Sequence, residues 1–206
     1  MAENKLPPDD DLIPRLLSGN ETAFKLLVKN YNGLMIHLAR AIVGDAIAEE
    51  VVQDAWIASI KALPKFERRS SLKTWILRIV TNCAKSRLRH ESRTINFDDI
   101  SNIPGEIPQA NFKSNGHWQL APHAWHADTP DALLSSGELK REIDKALKGL
   151  PVAQQAVVAL RDMQGLNMDE ICKILEISES NARVLLHRAR SQIRLCIDKF
   201  LASGDK

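Results

Sequence analysis

Residues 165–190 read GLNMDEICKILEISESNARVLLHRAR, and the organisation of the whole chain can be worked out from this stretch. Asn167 lies three residues before Glu170, a spacing that caps the start of a helix. After a short connection, Ser178 is a good N-cap for a second helix. Two helices joined by a tight turn predict a helix-turn-helix. The turn position that often holds glycine holds Glu176, and a left-handed glutamate costs roughly 1 kcal/mol.

The predicted second helix separates its residues onto two faces. The apolar residues recur at helical spacing and are expected to face inward; they are Ala182, Leu185, Leu186, Ala189 and Ile193. The opposite face is basic, since residues 181–194 hold four arginines and no acid. Such a face suits the major groove of DNA, with the N-terminal residues of the helix nearest the bases. A solvated basic helix in an all-α domain gives the same pattern, so the motif alone leaves both interpretations open.

Charge is spread unevenly along the 206 residues, although the net charge is only +2. Residues 61–90 carry nine basic side chains and one acid, a local balance of +8. Residues 91–137 carry two basic side chains and six acids, a balance of −4. Together with the basic helix, this gives two basic blocks separated by an acidic one. The pattern indicates two contact surfaces for a polyanion.

Composition narrows the class of protein further. Charged residues make up 26% and hydrophobic residues 44% of the chain, which is ordinary for a globular protein. Cys83, Cys172 and Cys196 are odd in number, and buried free thiols in a reducing compartment are their simplest interpretation. The chain has no run of 18 apolar residues, and its start lacks the features of a signal peptide. We therefore expect a cytoplasmic protein without membrane insertion.

The first half of the chain is predicted to be helical. A short helix follows the acids at residues 9–11 and ends at Gly19. Asn20 can cap a long second helix, and a third precedes Pro64. Ser71 can cap a fourth helix that reaches about residue 90. We expect these helices to form an N-terminal domain spanning residues 1–92.

Two surfaces of this domain are candidate binding sites. The third helix carries an acidic, amide-bearing face that suits a basic helical partner, although a merely solvated face is the simpler interpretation. Its members are Glu49, Glu50, Gln53 and Asp54. The following loop and helix mix basic residues with aromatic and amide side chains, as expected for phosphate contacts plus base stacking. Their candidates are Lys65, Phe66, Arg68, Arg69, Trp75, Arg78, Asn82, Lys85 and Arg89. Phe66 and Trp75 are also compatible with core packing, which we slightly favour for Trp75.

Residues 93–128 lose helical periodicity and are rich in Pro, Gly, Asn and Ser, so they are predicted to be an irregular linker. A second domain, residues 129–206, is expected to begin with an N-cap at Thr129 and to contain the helix-turn-helix. The predicted fold class is all-α, with two small helical domains joined by this linker. The linker's three histidines follow a His-x5-His-x2-His spacing without nearby acids or cysteines, which is a weak metal motif. No cofactor or metal is expected.

The linker also holds two tryptophans that are costly to leave in water. One hypothesis is that Trp118 and Trp125 pack beside the helix that starts at Thr129 and hold the two domains together. Such a compact state would mask the DNA-binding surfaces of the free protein. A local hydrophobic cap on the second domain is an equally good interpretation.

Four stretches in order resemble the bacterial sigma factors of the extracytoplasmic-function (ECF) group. They are AEEVVQDAW (48–56), SLKTWILRIVTNCAKSRLR (71–89), LPVAQQAVVALRDMQGLNMDEICKILEIS (150–178) and NARVLLHRAR (181–190). The resemblance covers both predicted domains, and the order of the motifs makes it specific. It implies two helical domains that clamp core RNA polymerase and read two promoter elements. The implied partners are core RNA polymerase, promoter DNA and an anti-sigma factor.

The resemblance also implies a role for each surface. Glu50, Gln53 and Asp54 match the surface for the polymerase clamp coiled coil. Residues 65–71 match the loop that captures a flipped base of the non-template strand. The helix that reads and helps melt the downstream element is matched by Trp75, Arg78, Asn82, Lys85 and Arg89. The upstream-element reader is matched by Ser180, Asn181, Arg183, Val184, His187 and Arg188. Primary sigma factors usually carry two adjacent tryptophans where this chain has Trp75-Ile76, which implies weaker melting and a stricter promoter.

A DNA-binding regulator and an enzyme are the two alternatives to a sigma factor. A repressor or activator with one helix-turn-helix needs a dimer face and does not need a second basic surface at residues 61–90. An enzyme is disfavoured because a Gly-rich phosphate loop, an H-E-x-x-H run and a G-x-S-x-G elbow are all absent. The sequence therefore favours a non-catalytic promoter-specificity subunit that starts transcription of a specific regulon.

Overall fold

A computed structural model describes residues 6–90 and 137–204 of the chain, and within those ranges every regular element is helical. The N-terminal helices are α1 (Asp9–Leu17), α2 (Glu21–Val43), α3 (Ala48–Ala62) and α4 (Leu72–His90), with a 3-10 turn at Leu63–Lys65. The C-terminal helices are α5 (Gly137–Lys148), α6 (Val152–Val158), α7 (Met168–Leu175) and α8 (Glu179–Gly204), with a π-helical turn at Ala159–Met163 after α6. This confirms the predicted all-α fold class.

The ends of the N-terminal helices lie where local capping chemistry places them. The Asn20 side chain accepts a hydrogen bond from the Ala23 amide at 2.9 Å and starts α2. Gly19 and Gly44 adopt φ values of 76° and 84°, a left-handed region that glycine enters without strain. These two glycines therefore terminate α1 and α2 as predicted.

The N-terminal domain is a bundle in which α2, α3 and α4 pack against one another and α1 packs on α2. Its interior is aliphatic: Leu12, Met35, Leu38, Leu72, Ile76 and Leu77 are all less than 2% exposed. Val51 and Ala55 of α3 are buried as predicted. Burying the apolar stripe leaves the acidic face of α3 outward.

The C-terminal domain is built around the long helix α8, which packs against α5 and α6. α7 crosses α8 and contributes Ile171, Ile174 and Leu175 to the interior. The predicted start of this domain at Thr129 lies outside the described residues. So do the predicted linker at 93–128, its histidines and its two tryptophans.

The two domains pack directly on each other. α4 contacts α7, and α2 contacts both α6 and the π-helical turn. The buried apolar side chains of both domains form one continuous cluster. α6 is buried nearly all round, and it carries Gln154 at 0% exposure with neither polar atom of its amide hydrogen-bonded within the described ranges. A short helix buried on more than one face is what contact with a second domain requires.

Candidate nucleic-acid interface

The helix-turn-helix begins with a complete capping box. The Asn167 side chain accepts from the Glu170 amide at 2.9 Å, and the Glu170 carboxylate accepts from the Asn167 amide at 3.0 Å. α7 is followed by Glu176, which adopts φ 60° and ψ 46° in the left-handed region. Ser178 then accepts from the Asn181 amide at 3.2 Å and starts α8. These caps fix the turn between α7 and α8.

The N-terminal half of α8 presents a basic outer surface. Arg183 and Ser180 are exposed, and Val184 is 37% exposed beside them. Arg183 donates to Glu179 one turn earlier, with a Nε–Oε1 distance of 3.0 Å. Both partners are more than half exposed, so this ion pair is weak and gives way readily to a phosphate or a base.

Three predicted readers are less accessible than the rest, and one of them, Arg188, is half-buried. Asn181 is only 4% exposed, so the structure does not bring its amide to the outer face of α8 with Arg183. His187 is half-buried, and its pKa is lowered first by burial and then by the charges of Arg188 and Arg190. The imidazole is therefore held neutral. In that form one ring nitrogen can donate and the other can accept.

Arg190 is held by the turn that precedes the helix-turn-helix. Its Nε donates to the Asp162 carboxylate at 3.0 Å, and this hydrogen bond raises the pKa of the guanidinium. Asp162 belongs to the π-helical turn, so the contact ties α8 to the end of α6. The helical period predicted that Arg190 would lie on the outer face. It did not predict the contact with Asp162, which is 28 residues away along the chain.

The second basic surface lies on α4 and the loop before it. Ser71 accepts from the Thr74 amide at 3.1 Å and caps α4, as predicted. Lys65, Arg69 and Arg89 are exposed along the loop and the last turn of α4, and so is Asn82. Arg69 lies 2.7 Å from Glu67, with its side chain 85% exposed. This cluster of cations suits a nucleic-acid backbone.

The aromatic pair of this surface is partly buried. The rings of Phe66 and Trp75 lie 4.8 Å apart between centroids and are tilted by 38°. Both pack against the apolar cluster of the domain while keeping part of their surface accessible. For each ring, the structure is therefore compatible with core packing and with base stacking. The polar residues Thr74 and Thr81 of α4 are buried at 3% and 0% exposure.

The loop at residues 66–71 is fastened to α1. The Asp9 carboxylate accepts from the Leu72 amide at 2.7 Å, and the Asp10 carboxylate accepts from Arg68 at 3.0 Å. Arg68 has φ 57°, which places it in the left-handed region. The sequence indicated neither contact, because about 60 residues separate the partners along the chain.

Two cations of α4 are engaged by the other domain. Arg78 donates to Glu176 with a Nε–Oε1 distance of 2.9 Å. The Lys85 ammonium donates to the Leu175 carbonyl at 2.7 Å, where it meets the negative end of α7. The same cations on α4 were predicted to contact DNA. We call this arrangement, in which the two domains pack on each other, the closed arrangement. In it the charged groups of both side chains point at α7 instead.

The acidic face of α3 is outward as a group. Glu49, Glu50, Gln53 and Asp54 are all exposed. Glu50 pairs with Arg87 at 3.0 Å and Glu49 approaches Arg40 at 3.8 Å, whereas Gln53 and Asp54 make no ion pair or hydrogen bond with another residue of the described ranges. Ile57 extends this face at 52% exposure. An exposed carboxylate without an ion pair in the described ranges, beside an amide and an apolar side chain, suits a basic, helical protein partner.

Comparisons with known proteins find matches for both domains of the chain. Residues 27–94 match the family model of sigma-70 region 2, and residues 140–193 match that of sigma-70 region 4. The ECF RNA polymerase sigma-E factor of Escherichia coli K12 is 30% identical over 185 residues, spanning 90% of this chain and 92% of that protein. This chain belongs to the ECF sigma factors. The sigma-E factor of Haemophilus influenzae is 28% identical over 90% of this chain and 93% of its own length.

Two solved structures share the fold of this ECF sigma factor. CnrH, in complex with the cytosolic domain of CnrY, superposes with a TM-score of 0.57 at 21% identity, covering 96% of this chain and 99% of CnrH. The sigma factor RpoE of Bartonella quintana, in complex with the anti-sigma factor NepR, gives a TM-score of 0.57 at 19% identity, covering 85% and 96%. The likeness extends over both domains of the sigma factor.

In the described ranges of the sigma factor, no group of three or more His, Cys, Asp or Glu side chains is arranged to hold a metal ion. None of the helices in those ranges has both the length and the apolar character of a membrane span. Burial raises the pKa of the Cys83 and Cys172 thiols, which disfavours the reactive thiolate.

Proposed function

We propose that this chain is an alternative sigma factor that binds core RNA polymerase, recognises promoter DNA and starts transcription of a specific regulon. The observation that carries the proposal is the presence of two separate basic surfaces, on α4 and α8, in one chain. A single helix-turn-helix regulator needs only the second of them. The protein acts without catalysis of its own and works in the cytoplasm, where the polymerase is.

Each surface has a distinct role in this proposal. The face formed by Glu49, Glu50, Gln53 and Asp54 binds a basic coiled coil of core polymerase. The loop and helix α4 contact the downstream element through Lys65, Phe66, Arg68, Arg69, Trp75, Arg78, Asn82, Lys85 and Arg89. The start of α8 contacts the upstream element through Ser180, Asn181, Arg183, Val184, His187 and Arg188. Since Asn181 is buried, its contribution requires a local rearrangement of the turn.

An anti-sigma factor is proposed to hold the protein inactive. The support is that two proteins of the same fold were solved with such partners: CnrH with the cytosolic domain of CnrY, and RpoE with the anti-sigma factor NepR. Such a partner has to cover at least one of the three surfaces named above. The acidic face of α3 is accessible in the closed arrangement and is a candidate for it.

The test is reconstituted transcription. The purified chain is combined with core RNA polymerase and templates that carry promoter regions from its own operon. We expect transcripts with a defined start site that appear only when both proteins are present. Binding of the chain to DNA without any effect on polymerase would contradict the proposal and favour a repressor or activator.

A further inference from the structure

Helix α1 reaches across the N-terminal domain to the loop at residues 66–71. Two carboxylates in its first turn make the contacts. The Asp9 Oδ2 atom accepts from the Leu72 amide at 2.7 Å, and the Asp10 Oδ1 atom lies 3.0 Å from the Arg68 guanidinium. The loop therefore has one fastening at its end and one in its middle.

The Asp9 contact acts as a second cap on α4. The first amides of a helix have no partner within the helix, and they form its positive end. Ser71 satisfies the Thr74 amide, and Asp9 satisfies the Leu72 amide. Asp9 is half-buried, and next to it lies Tyr31, whose pKa is raised to about 12 by burial first and by the Asp9 charge second. The hydrogen bond from the Leu72 amide to the Asp9 carboxylate therefore fixes the point where the loop becomes helix.

The Asp10 contact acts on the backbone of the loop through Arg68. Arg68 is one of the two non-glycine residues of the described ranges with positive φ, and such a conformation persists only when surrounding contacts maintain it. Asp10 is 89% exposed on its side chain, so the ion pair adds little to the stability of the domain. Its effect is to direct the guanidinium and to keep the turn of the loop.

We propose that Asp9 and Asp10 are positioning residues for promoter opening: α1 holds the loop at residues 66–71 in the shape that receives an unpaired base. The inference rests on the proposed function, because the loop is the one expected to capture a flipped base of the non-template strand. It adds a role for α1, a helix to which neither the sequence nor the proposed DNA surfaces assign one.

The main experiment measures binding of a single-stranded non-template oligonucleotide to the holoenzyme formed with each variant. The variants are Asp9→Ala, which removes the cap, and Asp9→Asn, which keeps an oxygen that can accept from the Leu72 amide. Asp11→Ala is the matched control, since Asp11 is exposed in the same turn and its carboxylate makes no hydrogen bond or ion pair within the described ranges.

We expect Asp9→Ala to weaken oligonucleotide binding about fivefold relative to Asp11→Ala, the size of effect typical of losing a helix cap. Asp9→Asn should retain most of the affinity. Affinity for core polymerase and for duplex DNA carrying only the upstream element should stay equal in all three variants. Equal oligonucleotide affinity in Asp9→Ala and Asp11→Ala overturns the inference, even if Asp9→Ala melts at a lower temperature.

A double-mutant cycle tests the second fastening. Asp10→Ala is compared in the wild-type background and in an Arg68→Ala background, with the same oligonucleotide. If Asp10 acts by directing Arg68, its substitution weakens binding only when Arg68 is present. Tighter binding by Asp10→Ala would show that the carboxylate merely masks Arg68, and it would overturn the positioning role. A wild-type chain that fails to bind core polymerase at all rejects the proposed function itself, before any variant is compared.

Discussion

Glu176 is a residue in which local strain and a distant contact meet. It adopts the left-handed conformation that disfavours any side chain with a Cβ atom, and its carboxylate binds Arg78 of the other domain. Both partners are about half exposed, so the ion pair contributes at most about 1 kcal/mol. The strain at this position therefore offsets much of the contact.

The strain can be measured with two substitutions that both remove the carboxylate. We expect Glu176→Gly to have a free energy of unfolding about 1 kcal/mol higher than Glu176→Ala, because only glycine enters the left-handed region without a Cβ penalty. Urea denaturation of the two variants gives the difference. Equal stabilities would show that the turn relaxes when the contact to Arg78 is lost.

Arg183 is the exposed arginine best placed to reach bases from the start of α8. If it reads a guanine, Arg183→Ala should cost about 1–3 kcal/mol on the cognate promoter and relax specificity at one base pair. Arg194→Ala is a useful control, since Arg194 lies three turns further along the helix. A loss of affinity that is uniform over all promoter sequences would assign Arg183 to a phosphate instead.

Among the helices, α3 offers the most direct test of polymerase binding. Replacing Gln53 and Asp54 with lysine places like charge against a basic coiled coil. We expect affinity for core polymerase to fall by at least ~1.4 kcal/mol, a tenfold change. Titration of labelled protein with core polymerase measures it, with Glu21→Lys on α2 as a control for a charge reversal elsewhere on the domain. An unchanged affinity would remove this face from the proposed interface.

The loop before α4 is the element that we propose receives an unpaired base when the promoter opens. Phe66 packs on Trp75, so Phe66→Ala removes a partner of the aromatic pair as well as a candidate stacking surface. We expect fewer open complexes on duplex promoters, visible as reduced permanganate reactivity in the melted region. Phe66→Tyr keeps the ring and should behave like the wild type. Normal opening by Phe66→Ala would assign the side chain to the core alone.

The elements could be predicted from sequence where the deciding interaction is local. The caps by Asn20, Ser71 and Asn167 each involve partners three residues apart, and the left-handed turn at Glu176 follows from the motif. Burial of Asn181 depends on how whole helices pack. The residues next to Asn181 in the sequence do not indicate that packing.

The contacts that hold the loop at residues 66–71 and α4 could not be predicted from the sequence, for the same physical reason. Asp9 meets the Leu72 amide across a sequence separation of 63 residues, and Lys85 meets the Leu175 carbonyl across one of 90. Composition indicated a basic surface at residues 61–90. It did not indicate that acidic residues in α1 and at the end of α7 bind two of its arginines. Partner choice at such distances is set by the packing of the bundle and of one domain on the other.

At the scale of the molecule, the closed arrangement and the proposed DNA contacts of α4 use the same side chains. Arg78 and Lys85 cannot contact α7 and a nucleic acid simultaneously. We expect Glu176→Lys to open the free protein, because it places like charges against each other at the domain boundary. Small-angle scattering should show a larger radius of gyration, and binding of promoter DNA without polymerase should strengthen. Asp169→Lys, an exposed acid at the other end of α7, is the control.

Unchanged scattering and unchanged DNA affinity in Glu176→Lys would contradict this competition. They would show that the apolar contacts of α2 with α6 hold the domains together by themselves. The hypothesis that Trp118 and Trp125 contribute to the closed state lies outside the described residues and stays a prediction. Replacing both with alanine in the same assays separates it from a local cap, which would change only the melting temperature of the second domain.

The ion pairs across the domain boundary have a consequence for ionic strength. Arg78–Glu176 and Lys148–Asp45 are exposed, so dissolved salt screens them. Salt also weakens phosphate contacts by reducing the gain from counterion release. In the free protein the two effects oppose each other, because salt that loosens the DNA contact also frees the cations that make it. We therefore expect the affinity of the free chain for DNA to change less with salt than that of a holoenzyme in which the two domains stand apart.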